Sequence, residues 1–495
     1  MEVTIFADVL TIFCASLLIT VLFHRVGLPG IVASIVAGCL IGPEVLDWVK
    51  DPQYFGFIAE FGVVFLLFSL GLEFSLPKLI ALRSSVFGLG SVQVLVCTLT
   101  FGGVVYLWGT SLAAAVIIAG ALALSSTAIV TRELTSLKRV HTRQGQLAIG
   151  VLLFQDVVAV FFLILVPVLA GAGSVSLWSA LAVALRKSVL LLLVLLSVGK
   201  WLLPPLYREV ARGRSEEVFV LGTVVIVLFA AWLTHYFHLS MALGGFVIGM
   251  MLGESQFRHQ ISSDIQGFKI ILLGLFFATI GMSIQVDLLV DHWFRILVFT
   301  AALIIIKALL ISVMVRLAGD DKDTALQTGL SLAQAGEFGL ALLALGVMHD
   351  VVPQDQASFI VLVAVGSMSI SPLLIRYNVE ISRFVWTVLG LRRGAGDDHE
   401  VTLYASEHVI IGGFGRVGST IASVLEHNEV DYIAIDQDAE VVHVEREKGH
   451  NVMYGDCSRL DILRACHIER ASMAVLTFRS IGLAKNTIEQ IRAKQ

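Results

Sequence analysis

LAIGVLLFQDVVAVFFLILV, residues 147–166, carries a single ionisable side chain, Asp156, at its centre. About 20 predominantly apolar residues are what a helix needs to cross the hydrocarbon core of a bilayer. A charge at that depth costs about 2.5–3.5 kcal/mol on insertion scales, so such a residue marks function by default. The stretch reads as a membrane span with a working carboxylate at its middle.

The rest of the chain agrees with that reading. Of its 495 residues, 57% are hydrophobic and only 15% charged, where soluble proteins carry about 25% charged residues. Mean hydropathy is +0.87. These figures exclude a disordered chain and an ordinary cytosolic enzyme. The net charge of −5 gives no footing for nucleic acid. Cys14, Cys39, Cys97, Cys457 and Cys466 are scattered, with no CxxC or HExxH, so neither a disulfide framework nor a structural metal is expected. The N-terminal MEVTIFADV lacks the basic region of a signal peptide, so the first apolar segment is expected to stay as a span.

Thirteen spans are expected, at roughly 5–22, 28–43, 56–75, 85–108, 111–131, 144–171, 177–203, 216–237, 239–254, 267–288, 293–316, 323–349 and 356–387. The second and ninth are short, and twelve spans result if one of them is re-entrant. Alternate loops gather Arg25, Lys78, Arg132, Arg139, Arg143, Arg208, Arg258 and Lys322 on one side, against Lys50, Arg186, Lys187 and Arg295 on the other. The basic side is read as cytoplasmic, which puts the N-terminus outside and the C-terminus inside.

A shift of 210–211 residues aligns the chain with itself. IVAGCLIG (35–42) meets FVIGMMLG (246–253), so that Gly38 falls on Gly249 and Gly42 on Gly253. LLFSLGL (66–72) meets FFATIGM (276–282), with Gly71 on Gly281. The shift spans seven segments, an odd number, so the two copies must be inverted. Inverted repeats are a transporter signature, with substrate bound between them near the midplane. The same offset pairs LSSTAIV (124–130) with QAGEFG (334–339). Ser125, Ser126 and Thr127 in one, and Gln334, Gly336 and Glu337 in the other, are the polar stretches buried inside spans. They predict two broken helices whose freed backbone groups face a cavity.

Lys307, central in ILVFTAALIIIKALLISVMV, is the second mid-span charge. The simplest expectation is that it pairs with Asp156, or that Asp156 faces a water-filled cavity. A buried carboxylate can hold a proton or a dehydrated monovalent cation, but not both. Competition at Asp156 is therefore enough for exchange. Gln155 stands where a second acid could have stood, so one proton per cation is expected. Glu337 is a third mid-span acid, and Glu73 reads as an interfacial charge.

From about 388 the composition changes. Residues 388–406 read as a linker, and HVIIGGF, DYIAID, NVMYGD and MAVLTF alternate with helical stretches, a parallel-sheet α/β pattern over 407–495. Its first turn, Gly413, Phe414, Gly415, Arg416, Val417 and Gly418, is a GxGxxG between strand and helix. Asp436, 18 residues past Gly418, stands where an acid meets ribose hydroxyls. Arg416 is placed to meet phosphate, and Asp456 and Cys457 in GDCS form another edge. The expected ligand is an adenine nucleotide: AMP, ATP or NAD(H). With one such half rather than two, the domain reads as regulatory.

Together these residues resemble the Kef-type potassium:proton antiporters of the monovalent cation:proton antiporter-2 family, over nearly the whole chain. The resemblance is carried by FQDVVAV (154–160), SLGLEFSLPKL (69–79), HLSMALGGFVIGMMLGES (238–255), FKIILLGLFFATIGMSI (268–284), Lys307, IGGFGRVG (411–418) and GDCSRLDILRA (455–465). It implies a sodium:proton antiporter-like fold, a homodimer in lipid of the bacterial inner membrane, and an elevator motion of a transport core with Asp156 as the site of K+ or Na+ and H+. It also implies a cytoplasmic KTN/RCK nucleotide-binding domain, and restraint by glutathione. Two departures bear on glutathione. In the loop RHQISSDIQGFK, His259 and Asp264 remain but Ser262 and Gln266 replace acids. The chain also stops at 495, before the part of the domain that supplies much of that site.

A nucleotide-gated cation channel would need a selectivity filter such as TVGYG, and a membrane transhydrogenase a second fingerprint; neither motif occurs. The expected activity is secondary antiport of a monovalent cation, K+ first and Na+ as the alternative, against H+, with no enzymatic step.

Overall fold

The computed structural model describes residues 2–49, 53–73, 88–140, 142–170, 216–237, 240–388, 408–477 and 481–492. The chain divides into two compact units, Met1–Val385 and Trp386–Gln495. The seventh expected span, 177–203, and nearly all of the expected linker lie outside the described residues.

The first unit is helical. Its helices are α1 (Glu2–Val26), α2 (Gly30–Ile41), α3 (Gln53–Glu73), α4 (Gly90–Leu107), α5 (Leu112–Ala123), α6 (Thr127–Ser136), α7 (Arg143–Ala170) and α8 (Glu216–Tyr236). There follow α9 (Met241–Gly253), α10 (Arg258–Met282), α11 (Val286–Leu317), α12 (Lys322–Ser331), α13 (Glu337–Met348), α14 (Gln354–Arg376) and α15 (Asn378–Val388). Among the described residues eight helical stretches are long and apolar enough to cross a membrane. Each expected span apart from the seventh holds helix, and four differ in detail. Spans 111–131 and 323–349 are each two helices, α5–α6 and α12–α13, as their polar centres predicted. Span 356–387 also divides, into α14 and α15, and α10 starts at Arg258, earlier than 267.

The helices pack as two bundles. In one, α3 lies against α9 and α10, α2 against α10 and α1, and α8 against α9. In the other, α4, α7, α11 and α14 surround the broken helices α5–α6 and α12–α13. The repeat explains the first bundle. A Cβ on Gly38 of α2 would lie 1.9 Å from the Ala278 oxygen of α10, and one on Gly281 of α10 would lie 2.0 Å from the Ile35 oxygen of α2. Gly71 of α3 and Gly249 of α9 make the reciprocal contact, at 2.4 Å from the Phe246 oxygen and 2.2 Å from the Phe68 oxygen. The repeat-matched glycines are thus the points where helix backbones touch, as close packing in lipid requires.

The second unit holds a parallel sheet of order β3-β2-β1-β4, from β1 (Val409–Gly412), β2 (Tyr432–Asp436), β3 (Val452–Tyr454) and β4 (Met473–Leu476). Between them run α16 (Arg416–His427), α17 (Ala439–Glu447) and α18 (Leu460–Ala465), with α19 (Ile481–Arg492) last. Strands buried on both faces explain the continuous apolar runs VII and YIAI. Ile410, Ile433 and Ile435 fill one side and Ile411, Tyr432 and Ala434 the other.

Candidate functional site

The breaks in the two discontinuous helices touch. A Cβ on Gly336 would lie 2.6 Å from the Ser125 carbonyl carbon, and one on Gly339 would lie 2.4 Å from the Ala121 oxygen. Ser125 Oγ donates to the Leu332 carbonyl at 2.8 Å, tying one break to the other. Ser126 caps α6, its hydroxyl accepting from Ile129 N–H at 3.3 Å. Gln155 serves the same backbone: its Oε1 accepts from Ser125 N–H at 2.7 Å and its Nε2 donates to Gln93 Oε1 at 2.8 Å. Gln93, fully buried on α4, was not singled out from the sequence; a mid-span amide in GSVQVLV was its signal.

Helix ends are polar: the N-terminus favours negative charge and the C-terminus positive. The charges of the site follow that rule. Asp156, 5% exposed on α7, accepts from Thr127 Oγ1 at 2.9 Å at the first residue of α6. Glu337, the first residue of α13, accepts through Oε1 from Ala128 N–H at 3.3 Å. Two carboxylates therefore sit at two half-helix N-termini. Lys307 sits at the opposite ends, donating to Leu122 O at 2.9 Å, Leu124 O at 2.8 Å and Gln334 O at 2.8 Å.

This corrects the expected Asp156–Lys307 pair. Three carbonyls freed by unwinding, rather than a carboxylate, take the three protons of the ammonium. Among the described residues Asp156 Oδ2 accepts no hydrogen bond, so one oxygen of this buried carboxylate is open. Glu337 Oε2 and both polar atoms of the Gln334 carboxamide are buried without a partner. Buried polar atoms are nearly always satisfied; water would serve all three, and a cation only the two oxygens. Seven expected residues, Asp156, Gln155, Lys307, Ser125, Ser126, Thr127 and Glu337, thus meet at one crossing. Asp156, Thr127 and Glu337 have the donor types an ion would use, while Lys307, Gln155, Ser125 and Ser126 hold the backbone open.

In the second unit, Gly413 has φ +96°, a left-handed conformation that glycine adopts without strain. A Cβ on Gly418 would lie 2.1 Å from the Gly413 oxygen, so α16 presses on the turn. Asp436, ending β2, accepts from Phe414 N–H at 2.5 Å and from Asp438 N–H at 2.8 Å. A carboxylate has about four acceptor positions, so ribose hydroxyls can still be bound. Arg416 and Val417 are exposed on the first turn of α16 beside Gly415. Two expected ligand residues turn inward instead. The Phe414 ring is 2% exposed and stacks on Tyr432. Cys457 is 5% exposed, and burial together with Asp456 pushes its thiol up to about 11, which leaves it protonated and unreactive. Both were assigned to the ligand because they neighbour it in sequence. Asp456 is tied to Ser458, accepting from its N–H at 2.9 Å and its hydroxyl at 2.6 Å.

Residues 9–377 match the family described as sodium/hydrogen exchanger, transmembrane, and residues 409–494 match the TrkA-N domain. The chain is 36% identical over 474 residues to a protein of Alkalimonas amylolytica named as K(+) efflux antiporter KefB, covering 95% of this chain and 72% of that one. It is 33% identical over 491 residues to the glutathione-regulated potassium-efflux system protein of Haemophilus influenzae, covering 98% of this chain and 78% of that one. The fold is similar to that of the sodium proton antiporter MjNhaP1 from Methanocaldococcus jannaschii at pH 8, with a TM-score of 0.52 at 16% identity over 79% of this chain and 98% of that one. A membrane unit of inverted repeats with crossed half-helices, and a small parallel-sheet unit after it, are accounted for together: the chain belongs to the transmembrane sodium/hydrogen exchanger family and carries a TrkA-N domain.

Proposed function

We propose that the chain is a secondary antiporter that exchanges K+ for H+ at Asp156, in the inner membrane of a bacterium, with its C-terminal unit in the cytoplasm. The observation that carries this reading is the buried Asp156 carboxylate, held by Thr127 through one oxygen and open at the other, where two half-helices cross. Proton and cation compete for that oxygen, so each is released as the other binds. The open acceptor and the Glu337 oxygen beside the crossing offer a dehydrated cation oxygens in place of water. The names of the two relatives favour K+ over Na+. The two-bundle packing supports an elevator motion, in which the bundle holding the site slides against the other as a rigid body. The outer faces of α1 and α8, with Phe6, Leu17, Leu18, Phe229 and Trp232 exposed, suit lipid or a second copy of the chain.

The TrkA-N match and the turn at Gly413–Gly418 support an adenine nucleotide as the regulatory ligand. One relative's name carries glutathione; with Ser262 and Gln266 in place of acids, the proposal for this chain rests on the nucleotide alone.

The test is proton flux in everted vesicles on addition of KCl or NaCl. Wild type is expected to move protons more strongly on KCl. Asp156→Asn, isosteric but unable to bind a proton at pH 7, is expected to abolish flux while expression and assembly persist. Normal flux in Asp156→Asn would remove that residue from the mechanism.

A further inference from the structure

In the second unit, the turn between α17 and β3 sets a histidine against two acids. Gly449 has φ +91°, and His450 N–H returns to the Glu445 carbonyl at 3.0 Å, the cap that ends a helix on glycine. His450 is thereby folded back between α17 and α16, with 19% of its side chain exposed. Its Nδ1 lies 2.7 Å from Glu426 Oε1 on α16 and 3.0 Å from the Tyr432 hydroxyl on β2. Tyr432 donates its own proton to the same Glu426 oxygen at 2.5 Å. Against the cost of burial, the bonds from Tyr432 and His450 hold the Glu426 carboxyl below the usual carboxylate range. Nδ1 thus meets only acceptors and must carry a proton, which leaves Nε2 of a neutral ring a bare lone pair. That lone pair faces Glu445 Oε2 on α17 at 3.7 Å, while the other Glu445 oxygen holds Lys448 at 2.7 Å. A second proton on the ring reverses the contact: the imidazolium lies between carboxylates from two helices. The ring also reaches the fingerprint turn. Its centre is 5.6 Å from that of Phe414, whose ring stacks on Tyr432 and whose N–H holds Asp436.

We propose that His450 is a proton-operated clamp on the nucleotide turn: charged, it ties Glu426 of α16 to Glu445 of α17 around Phe414, and so firms the grip of the turn and of Asp436 on an adenine nucleotide. This rests on the nucleotide reading above. Histidine is the side chain whose charge ordinarily changes between about pH 5 and pH 8. As the pH falls the ring gains its charge, Glu445 turns from repelling to attracting, and Phe414 is held in its seat. As the pH rises the link to Glu445 is lost, and the Phe414 N–H that fixes Asp436 is held less firmly. Occupancy of the domain then follows the pH around it, rising with acid.

The experiment is calorimetric titration of the full chain in detergent with AMP, ATP and NADH, at about pH 6 and about pH 8. Dividing each variant's affinity by that of wild type at the same pH removes the ionisation of the nucleotide itself; NADH, whose pyrophosphate keeps its charge over this interval, reads the wild-type change directly. Wild type is expected to bind NADH on the order of fivefold more tightly at the lower pH, the worth of one partly exposed ion pair. His450→Gln can still donate to Glu426 but never gains charge. It is expected to match wild type at the higher pH and to lose the gain at the lower one. A merely structural histidine would weaken binding equally at both. Glu445→Gln keeps the ring and removes the second carboxylate, so its gain is expected to move to lower pH; this arm stands if His450→Gln does not fold. A gain that survives in His450→Gln, or an unaltered pH dependence in Glu445→Gln, would overturn the clamp. Wild-type binding without pH dependence defeats the clamp alone, whereas no binding of any of the three nucleotides defeats the nucleotide reading and the clamp with it.

Discussion

An ammonium in hydrocarbon needs an opposite charge or enough acceptors. At Lys307 it has the second: three carbonyls within 2.9 Å and no exposed surface. Removing it leaves those acceptors buried without a donor, at about 1–3 kcal/mol each where they are not rehydrated. Lys307→Met keeps the bulk and loses the protons. It is expected to lower stability by on the order of 3 kcal/mol, read as an earlier thermal unfolding in detergent. If melting were unchanged, the carbonyls would have another donor and the assignment would fall. Asp156 shows the complementary logic. Thr127 engages one of its oxygens, and the other is kept free by neighbours that spend their hydrogen bonds on backbone.

At the scale of elements, the crossing depends on what is missing from Gly336. Its φ of −123° and ψ of 167° suit any residue, so contact alone demands glycine. Gly336→Ala would put a methyl 2.6 Å from the Ser125 backbone, which has no side-chain end to swing away. Overpacking of this kind costs typically 1–3 kcal/mol, and exchange is expected to fall with it. Gly103→Ala on α4, with nothing within 4 Å, is the control expected to match wild type in flux and melting temperature. The broken helices were legible because Ser125–Thr127 and Gln334–Glu337 recur at the offset of the glycine repeats. The parallel sheet was legible from its apolar runs and turn glycines. The partner of Lys307 was not, because a carbonyl freed by unwinding has no residue type of its own. The inward side chains of Phe414 and Cys457 were not legible, because adjacency in sequence does not say which face a side chain takes.

At the scale of the whole molecule, the crossing at Asp156 and the turn at Gly413–Gly418 belong to separate units. Substitutions in one should therefore leave the basal chemistry of the other intact. Asp436→Ala removes an acceptor from ribose hydroxyls and from Phe414 N–H. It is expected to weaken binding of AMP, ATP or NADH about 5-fold to 100-fold in calorimetric titration, while nucleotide-free exchange at Asp156 continues. Equal affinities in the two proteins, or binding in neither, would sink the proposed pocket. The three carbonyls around Lys307 also bear on how the chain is made. Leu122 and Leu124 leave the ribosome long before Lys307, and Gln334 leaves after it. When α11 enters the bilayer, two thirds of the receptor for its charge already exists in the first repeat. The second repeat arrives last and closes the cage, so the earlier half of the molecule acts as a template on which a lysine otherwise rejected by lipid is accepted.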